Sequence, residues 1–258
     1  ISKMNEKGMS TKTMKHAKTV MSVGFNAAVN DKILSESPVQ KIEIPDKQAK
    51  ERKVLTISEL AKIIRAMKNS RWIWSVKFML YTGVRRGELL ALKWSDIEWE
   101  NKRIKIDESN SSTGLGDTKS RKIHYVPLSD KVINCLAQQL QMLKAENNPI
   151  TFNDNFTQKE DLKGTDLLVF PTEEGTMIKP NTYYHTLVRF AEKAGVKATP
   201  HCLRHTFVYL TRKTLSLKEL QEILGHDETT TTLDIYGDMI NDTIDKSANQ
   251  IDNVFEKV

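Results

Sequence analysis

Apolar residues fall at three- and four-residue intervals over most of this chain, the spacing that puts one side of an α-helix against a core. Residues 10–30 read as a helix: Ser10 is its N-cap, and Met14, Ala17, Val20, Met21, Phe25 and Ala28 form one stripe. Thr56 and Glu59 make a capping box ahead of Leu60, Ile63, Ile64 and Met67. Further helices are expected over 72–81, closed by Gly83, and over 86–94. The period then changes to two. Residues 96–99, 103–107 and 123–126 read as strands, with a polar loop at 109–121 between the last two. Helical spacing returns at 129–146, 180–194, 202–213, 217–224 and 229–236, with a long polar loop and a short strand at 167–170 before the second of these. Ile240, Ile244, Ala248, Ile251 and Phe255 extend the pattern into a closing helix over about 238–256. The fold class expected is mainly α with a small antiparallel β-sheet.

Pro45 to Lys53 is polar and without period, as a connection between domains would be. It divides the chain into an amino-terminal part, 1–45, a linker, 46–53, and a larger part, 54–258. Charge follows the same division. Residues 1–53 hold 11 Lys and Arg against 6 Asp and Glu, whereas the remainder holds 28 against 27. A basic amino-terminal part and a pI near 9.1 favour a polyanionic partner, nucleic acid first, over an acidic protein surface. Cys135 and Cys202 have no metal-ligand spacing and are too few for a disulfide framework, so a reducing cytoplasm is expected. No signal peptide or run of about 18 apolar residues supports export or a membrane span. The chain opens on Ile1 in mid-helix pattern, which suggests a fragment of something longer.

Four stretches carry chemistry. Thr82-Gly83-Val84-Arg85-Arg86-Gly87-Glu88 places an arginine after a glycine turn at a helix start, where guanidinium and backbone N–H groups can face one anion. His201 and Arg204, at i and i+3, share one side of a helix and can reach the same phosphate. Leu224-Gly225-His226 ends a helix ten residues before Tyr236, and Lys119 lies near the end of the polar loop. Each has an ordinary reading taken singly: solvated arginines on a capped helix, a capping histidine, a core tyrosine, a solvent-facing lysine. Together they supply two clamps for nonbridging oxygens, three proton carriers and a phenol able to attack phosphorus. No Gly-x-x-x-x-Gly-Lys-Ser/Thr loop is present, so a nucleotide site has no support.

In order and context these residues resemble the tyrosine site-specific recombinases, the phage-type integrases, over almost the whole chain. In that family the first arginine follows Thr-Gly-x, which selects Arg85 over Arg86. The lysine stands nine residues before an apolar-Pro end, and here Lys119 is eight before Pro127. The His-x-x-Arg box is His201 and Arg204, the Leu-Gly-His is Leu224 to His226, and the nucleophile is Tyr236. Glu6 to Thr13 and the helix after them resemble the last half of the family's core-binding domain, ahead of a catalytic domain. The ten-residue step from His226 to Tyr236, where many members have nine, is similar to the conjugative-transposon branch.

The resemblance implies cleavage and rejoining of double-stranded DNA through a 3′-phosphotyrosine, with integration and excision of a mobile element. Arg85 and Arg204 would stabilise charge on the nonbridging oxygens, Lys119 would protonate the leaving 5′-oxygen, and His201 would accept the phenolic proton. His226 would hydrogen-bond the phosphate, and Glu88 would support the Arg85 helix. No metal or cofactor is implied. The expected partners are the recombination sites, further copies of the chain as dimer to tetramer, and DNA-bending accessory proteins, in the bacterial cytoplasm at the nucleoid. Residues 238–258 carry Asp238, Asp242, Asp245, Asp252 and Glu256 against Lys246 and Lys257, a net −3 poorly suited to DNA. The closing helix is therefore expected to dock in trans on a neighbouring copy, docking in cis being the alternative. Two other functions share the residues: a type IB topoisomerase-like nicking and religating enzyme, and a DNA-binding regulator whose site is idle.

Overall fold

The structure is a computed structural model that describes residues 1–45, 53–111, 114–117, 123–146, 167–212 and 214–225. The chain divides into two compact units, 1–51 and 52–258. All of the 46–53 connection except Lys53 lies outside the described residues, as do Lys119, His226, Tyr236 and the expected helix at 238–256.

The first unit holds α1 (Ser2–Glu6) and α2 (Thr11–Asn30). Ser10 caps α2, its hydroxyl accepting from the Thr13 N–H at 3.1 Å. The Lys18 ammonium donates to the Ile42 carbonyl at 2.7 Å and holds the segment after the helix against it. Of the apolar stripe only Met14 is fully buried, and Val20 remains 60% exposed.

In the second unit α3 (Ile57–Ala66) starts at the Thr56–Glu59 capping box, both halves of which form. Then come α4 (Ile73–Thr82) and α5 (Arg86–Ala91), the latter shorter than the spacing predicted. It stops because Leu92 turns extended and its carbonyl accepts from Val169 N–H at 2.9 Å. A single 3-10 turn, Trp94–Asp96, leads into β1 (Ile97–Glu98), β2 (Arg103–Ile106), β3 (Glu108–Ser111), β4 (Gly114–Asp117) and β5 (His124–Pro127). β1, β2 and β5 form one antiparallel sheet in that order, with Ile104 opposite Val126 and Ile106 opposite His124.

β3 and β4 form a second, two-stranded sheet inside the stretch read as a polar loop. Their sequences, Glu-Ser-Asn-Ser and Gly-Leu-Gly-Asp, have none of the apolar alternation that marks a strand. The hairpin is anchored by a buried polar side chain, Asn110, whose amide donates to the Ile178 carbonyl at 3.0 Å. The segment at 167–170 contributes one antiparallel bridge, Lys93 to Leu168, rather than a strand.

Four further helices follow among the described residues: α6 (Asp130–Ala145), α7 (Pro180–Lys193), α8 (Pro200–Thr211) and α9 (Leu217–Leu224). One core runs through all but the last of these, with Phe78, Trp94, Ile104, Leu136 and Tyr183 among its fully buried side chains. Burial of each such aliphatic or aromatic group contributes about 1.5–3 kcal/mol. α9 closes over α8 through a smaller cluster of Phe207, Val208, Leu220 and Leu224. No helix among the described residues is long and apolar enough to cross a membrane.

Candidate phosphate-binding site

A helix leaves its last carbonyls without intrahelical partners and its carboxyl end partly negative. α4 and α9 both end at a left-handed glycine, Gly83 at φ 68° and Gly225 at φ 60°. Neither position has room for a side chain. A Cβ on Gly83 would lie 2.9 Å from Phe207 Cε1, and one on Gly225 would lie 2.5 Å from His124 Nδ1.

Arg204 of α8 occupies the space between these two helix ends. Its Nη1 donates to the Gly83 carbonyl at 2.6 Å and its Nη2 to the Leu224 carbonyl at 3.0 Å. The side chain is buried, and burial together with the adjacent Arg85 pushes its pKa down to about 9, with Glu88 acting in the opposite direction. It stays a cation at neutral pH.

Arg85 is the N-cap of α5, half-buried beside it. The α5 amino end does not present the Arg85 N–H to an incoming anion, as the sequence suggested. That N–H donates to Glu88 Oε2 at 2.7 Å, and the Arg85 guanidinium donates to Glu88 Oε1, also at 2.7 Å. Glu88, 1% exposed, therefore fixes both the backbone and the side chain of Arg85. Two guanidiniums against one carboxylate leave the cluster at net +1 in a place shielded from water, where an anion gains most.

His201 lies one turn before Arg204 on α8, and both line a cleft of about 220 Å³ with Arg85, Arg86, Tyr184 and Pro200. The His201 pKa is lowered, by burial first and then by Arg204, Arg86 and Arg85, so its imidazole is neutral at neutral pH and able to accept a proton. The structure thus brings together three of the six residues singled out in the sequence; Lys119, His226 and Tyr236 lie outside the described residues. Among the described residues no three His, Cys, Asp or Glu side chains gather as metal ligands do.

One neighbour escaped the sequence reading. His124 lies under Gly225, with Nε2 4.0 Å from Glu88 Oε2, and neither ring nitrogen has a hydrogen-bond partner among the described residues. The signal was the alternation of β5: Val126 must face the core, so His124, two residues earlier, must as well.

The His124 pKa is lowered, mainly by burial, with Arg85 and Arg204 adding to the effect and Glu88 opposing it. The unfolded chain thus takes up this proton before the folded one as pH falls below the ordinary value of 6.5. The stability that depends on a neutral His124 is complete above that pH and lost below it. Between pH 7.5 and 5.5 the thermal midpoint of the wild-type chain should therefore fall more steeply than that of His124→Gln. Parallel curves would show that His124 is not held neutral by its surroundings.

The phage integrase family's sequence profile matches residues 53–241. A XerC-like tyrosine recombinase of Caldanaerobacter subterraneus subsp. tengcongensis is 29% identical over 261 residues, covering 92% of this chain and 65% of the relative. Tyrosine recombinase XerA of Saccharolobus solfataricus is 29% identical over 202 residues, 78% of this chain and 57% of its own length. The chain thus spans less than two-thirds of the length of these relatives. Among solved structures, the Tn1549 transposon integrase in complex with transposon right end DNA has a similar fold. The TM-score is 0.71 at 21% identity, with 95% of this chain and 82% of that one covered. A lambda integrase dimer bound to a core site aligns with a TM-score of 0.70 at 18% identity, over 91% of this chain and 76% of that one. With the family profile matching well over half of its length, this chain belongs to the phage integrase family.

Proposed function

We propose that this chain is a tyrosine recombinase that cleaves and rejoins DNA strands to move a genetic element, with Arg85, Lys119, His201, Arg204, His226 and Tyr236 as its catalytic set. The observation that carries the reading is the convergence of Arg85, Arg204 and His201, from two helices, on one cleft, where Arg85 and Arg204 together with Glu88 have a net charge of +1. A scissile phosphodiester brings one negative charge. Arg85 and Arg204 hold its nonbridging oxygens and stabilise the charge that grows there in the transition state, about 3–4 kcal/mol per well-placed donor.

The Tyr236 phenolic oxygen attacks phosphorus, its proton passing to the neutral His201. The bond from phosphorus to the 5′-oxygen breaks, and Lys119 supplies that oxygen with a proton. His226, next in sequence to the Gly225 that ends α9, hydrogen-bonds the phosphate. Rejoining runs the same steps backwards from the 5′-hydroxyl of a partner strand, and the phosphotyrosine conserves the phosphodiester energy between them.

The substrate is double-stranded DNA at the ends of the element, bent by accessory proteins, and the chain acts at the nucleoid. Lambda integrase has been solved as a dimer on a core site and as a tetramer on a Holliday junction. The same assembly here would give residues 238–256 a neighbouring copy on which to dock.

Tyr236→Phe removes one hydroxyl. It should bind a nicked suicide duplex carrying the joined element ends as the wild type does, and yield no covalent adduct on a denaturing gel. Adduct from this variant would displace Tyr236 from the role.

Removal of residues 241–258 should leave the thermal midpoint of the free chain within a few degrees of wild type and reduce cooperative assembly on paired sites. Unfolding of the free truncated chain, with assembly per folded molecule unchanged, would mean that the tail docks in cis.

A further inference from the structure

Arg86 is the one guanidinium of this cleft that the proposed reaction leaves unused. It opens α5, lines the cleft with Arg85, His201 and Arg204, and lies with its Cζ 6.0 Å from the centre of the Tyr184 ring on α7. A cation–π contact engages no N–H donor in a hydrogen bond, so the guanidinium can still donate to an oxygen acceptor. Tyr184 adds an edge-on contact to the His185 ring at 5.3 Å, which limits its freedom. No carboxylate among the described residues forms an ion pair with Arg86, whereas Glu88 neutralises one of the other two arginines.

Arg85 and Arg204 less Glu88 match one phosphodiester, and Arg86 adds a further positive charge at the rim. DNA offers a second phosphate beside the first, since successive phosphates on one strand are separated by about 3.4 Å of helix axis. A protein built only to hold the scissile phosphate has no use for this half-buried charge, which also opposes protonation of His201.

Resting on the proposed reading of the cleft, we infer that Arg86, positioned by the Tyr184 ring, binds the DNA phosphate adjacent to the scissile one. The contact fixes which phosphate of the strand enters the Arg85–Arg204 clamp. Arg86 is thus a second phosphate ligand, and Tyr184 a positioning residue that acts through it.

The test is the salt dependence of binding to a mixed-sequence 30-base-pair duplex, which reports phosphate contacts without requiring chemistry. One lost contact lowers the slope of log K against log salt by about 0.9. Arg86→Ala should show that decrease. Tyr184→Leu should show part of it, Tyr184→Phe should restore the wild-type slope, and Tyr184→Leu should add nothing in the Arg86→Ala background. Lys193→Ala, at the far end of α7, should leave the slope unchanged. An unchanged slope in Arg86→Ala, an equal decrease in Lys193→Ala, or a full additional loss from Tyr184→Leu in the double variant would overturn the inference. Wild-type protein that bound with the full slope and formed no adduct on the suicide duplex would instead remove the catalytic reading, leaving the phosphate contact standing.

Discussion

A buried arginine between two helix ends organises this domain. Desolvation of an ion costs several kcal/mol even after the surroundings relax, and only excellent geometry offsets it. Arg204 finds that geometry because α4 and α9 each end at a left-handed glycine and turn a carbonyl toward it, at 2.6 and 3.0 Å. The partial negative charge at both carboxyl ends adds to the attraction. Removal of the guanidinium would leave two carbonyls without a partner and two helix ends without a tie. The residue that would bind phosphate is therefore also the residue that joins α4, α8 and α9.

The rest of the site follows from that tie. α5 begins three residues after Gly83, so fixing the end of α4 fixes the start of α5, where Glu88 takes hold of Arg85 by backbone and side chain together. α9 is held by its last carbonyl, and its terminal glycine lies on the His124 ring. β5, which carries His124, is registered against β2 by Ile104 and Ile106. α4, α5 and β5 are thus located by packing that belongs to the core and α9 by its own cluster with α8, and the arginines are in place before any ligand arrives. Such preorganisation is what makes a charged donor effective in a transition state.

The sequence announced much of this and concealed some. Caps were legible because they are local: Ser10, Thr56 with Glu59, and Gly83 all act as their spacing required. The pairing of His201 with Arg204 was legible from helical spacing. The β3–β4 hairpin was not, since its residues are polar and its anchor is Asn110 reaching a carbonyl 68 residues away. Nor was the burial of Arg204, which depends on two carbonyls from distant helices that no side-chain pattern records. The α2 stripe shows the opposite error: an apolar period promised burial, yet Val20 and Met21 are 60% and 37% exposed.

In the proposed reaction Arg85, Arg204 and Glu88 leave a single positive charge for the single negative charge of the scissile phosphate. A methylphosphonate at that position removes the negative charge and little of the volume. The direct measurement is the rate of covalent adduct formation by Arg85→Ala on matched suicide duplexes with a normal or a methylphosphonate scissile linkage. The variant should lose about 100-fold or more on the charged linkage and recover most of that loss on the neutral one. An equal loss on both linkages would contradict the account, because Arg85 would then be shaping the site and not balancing charge.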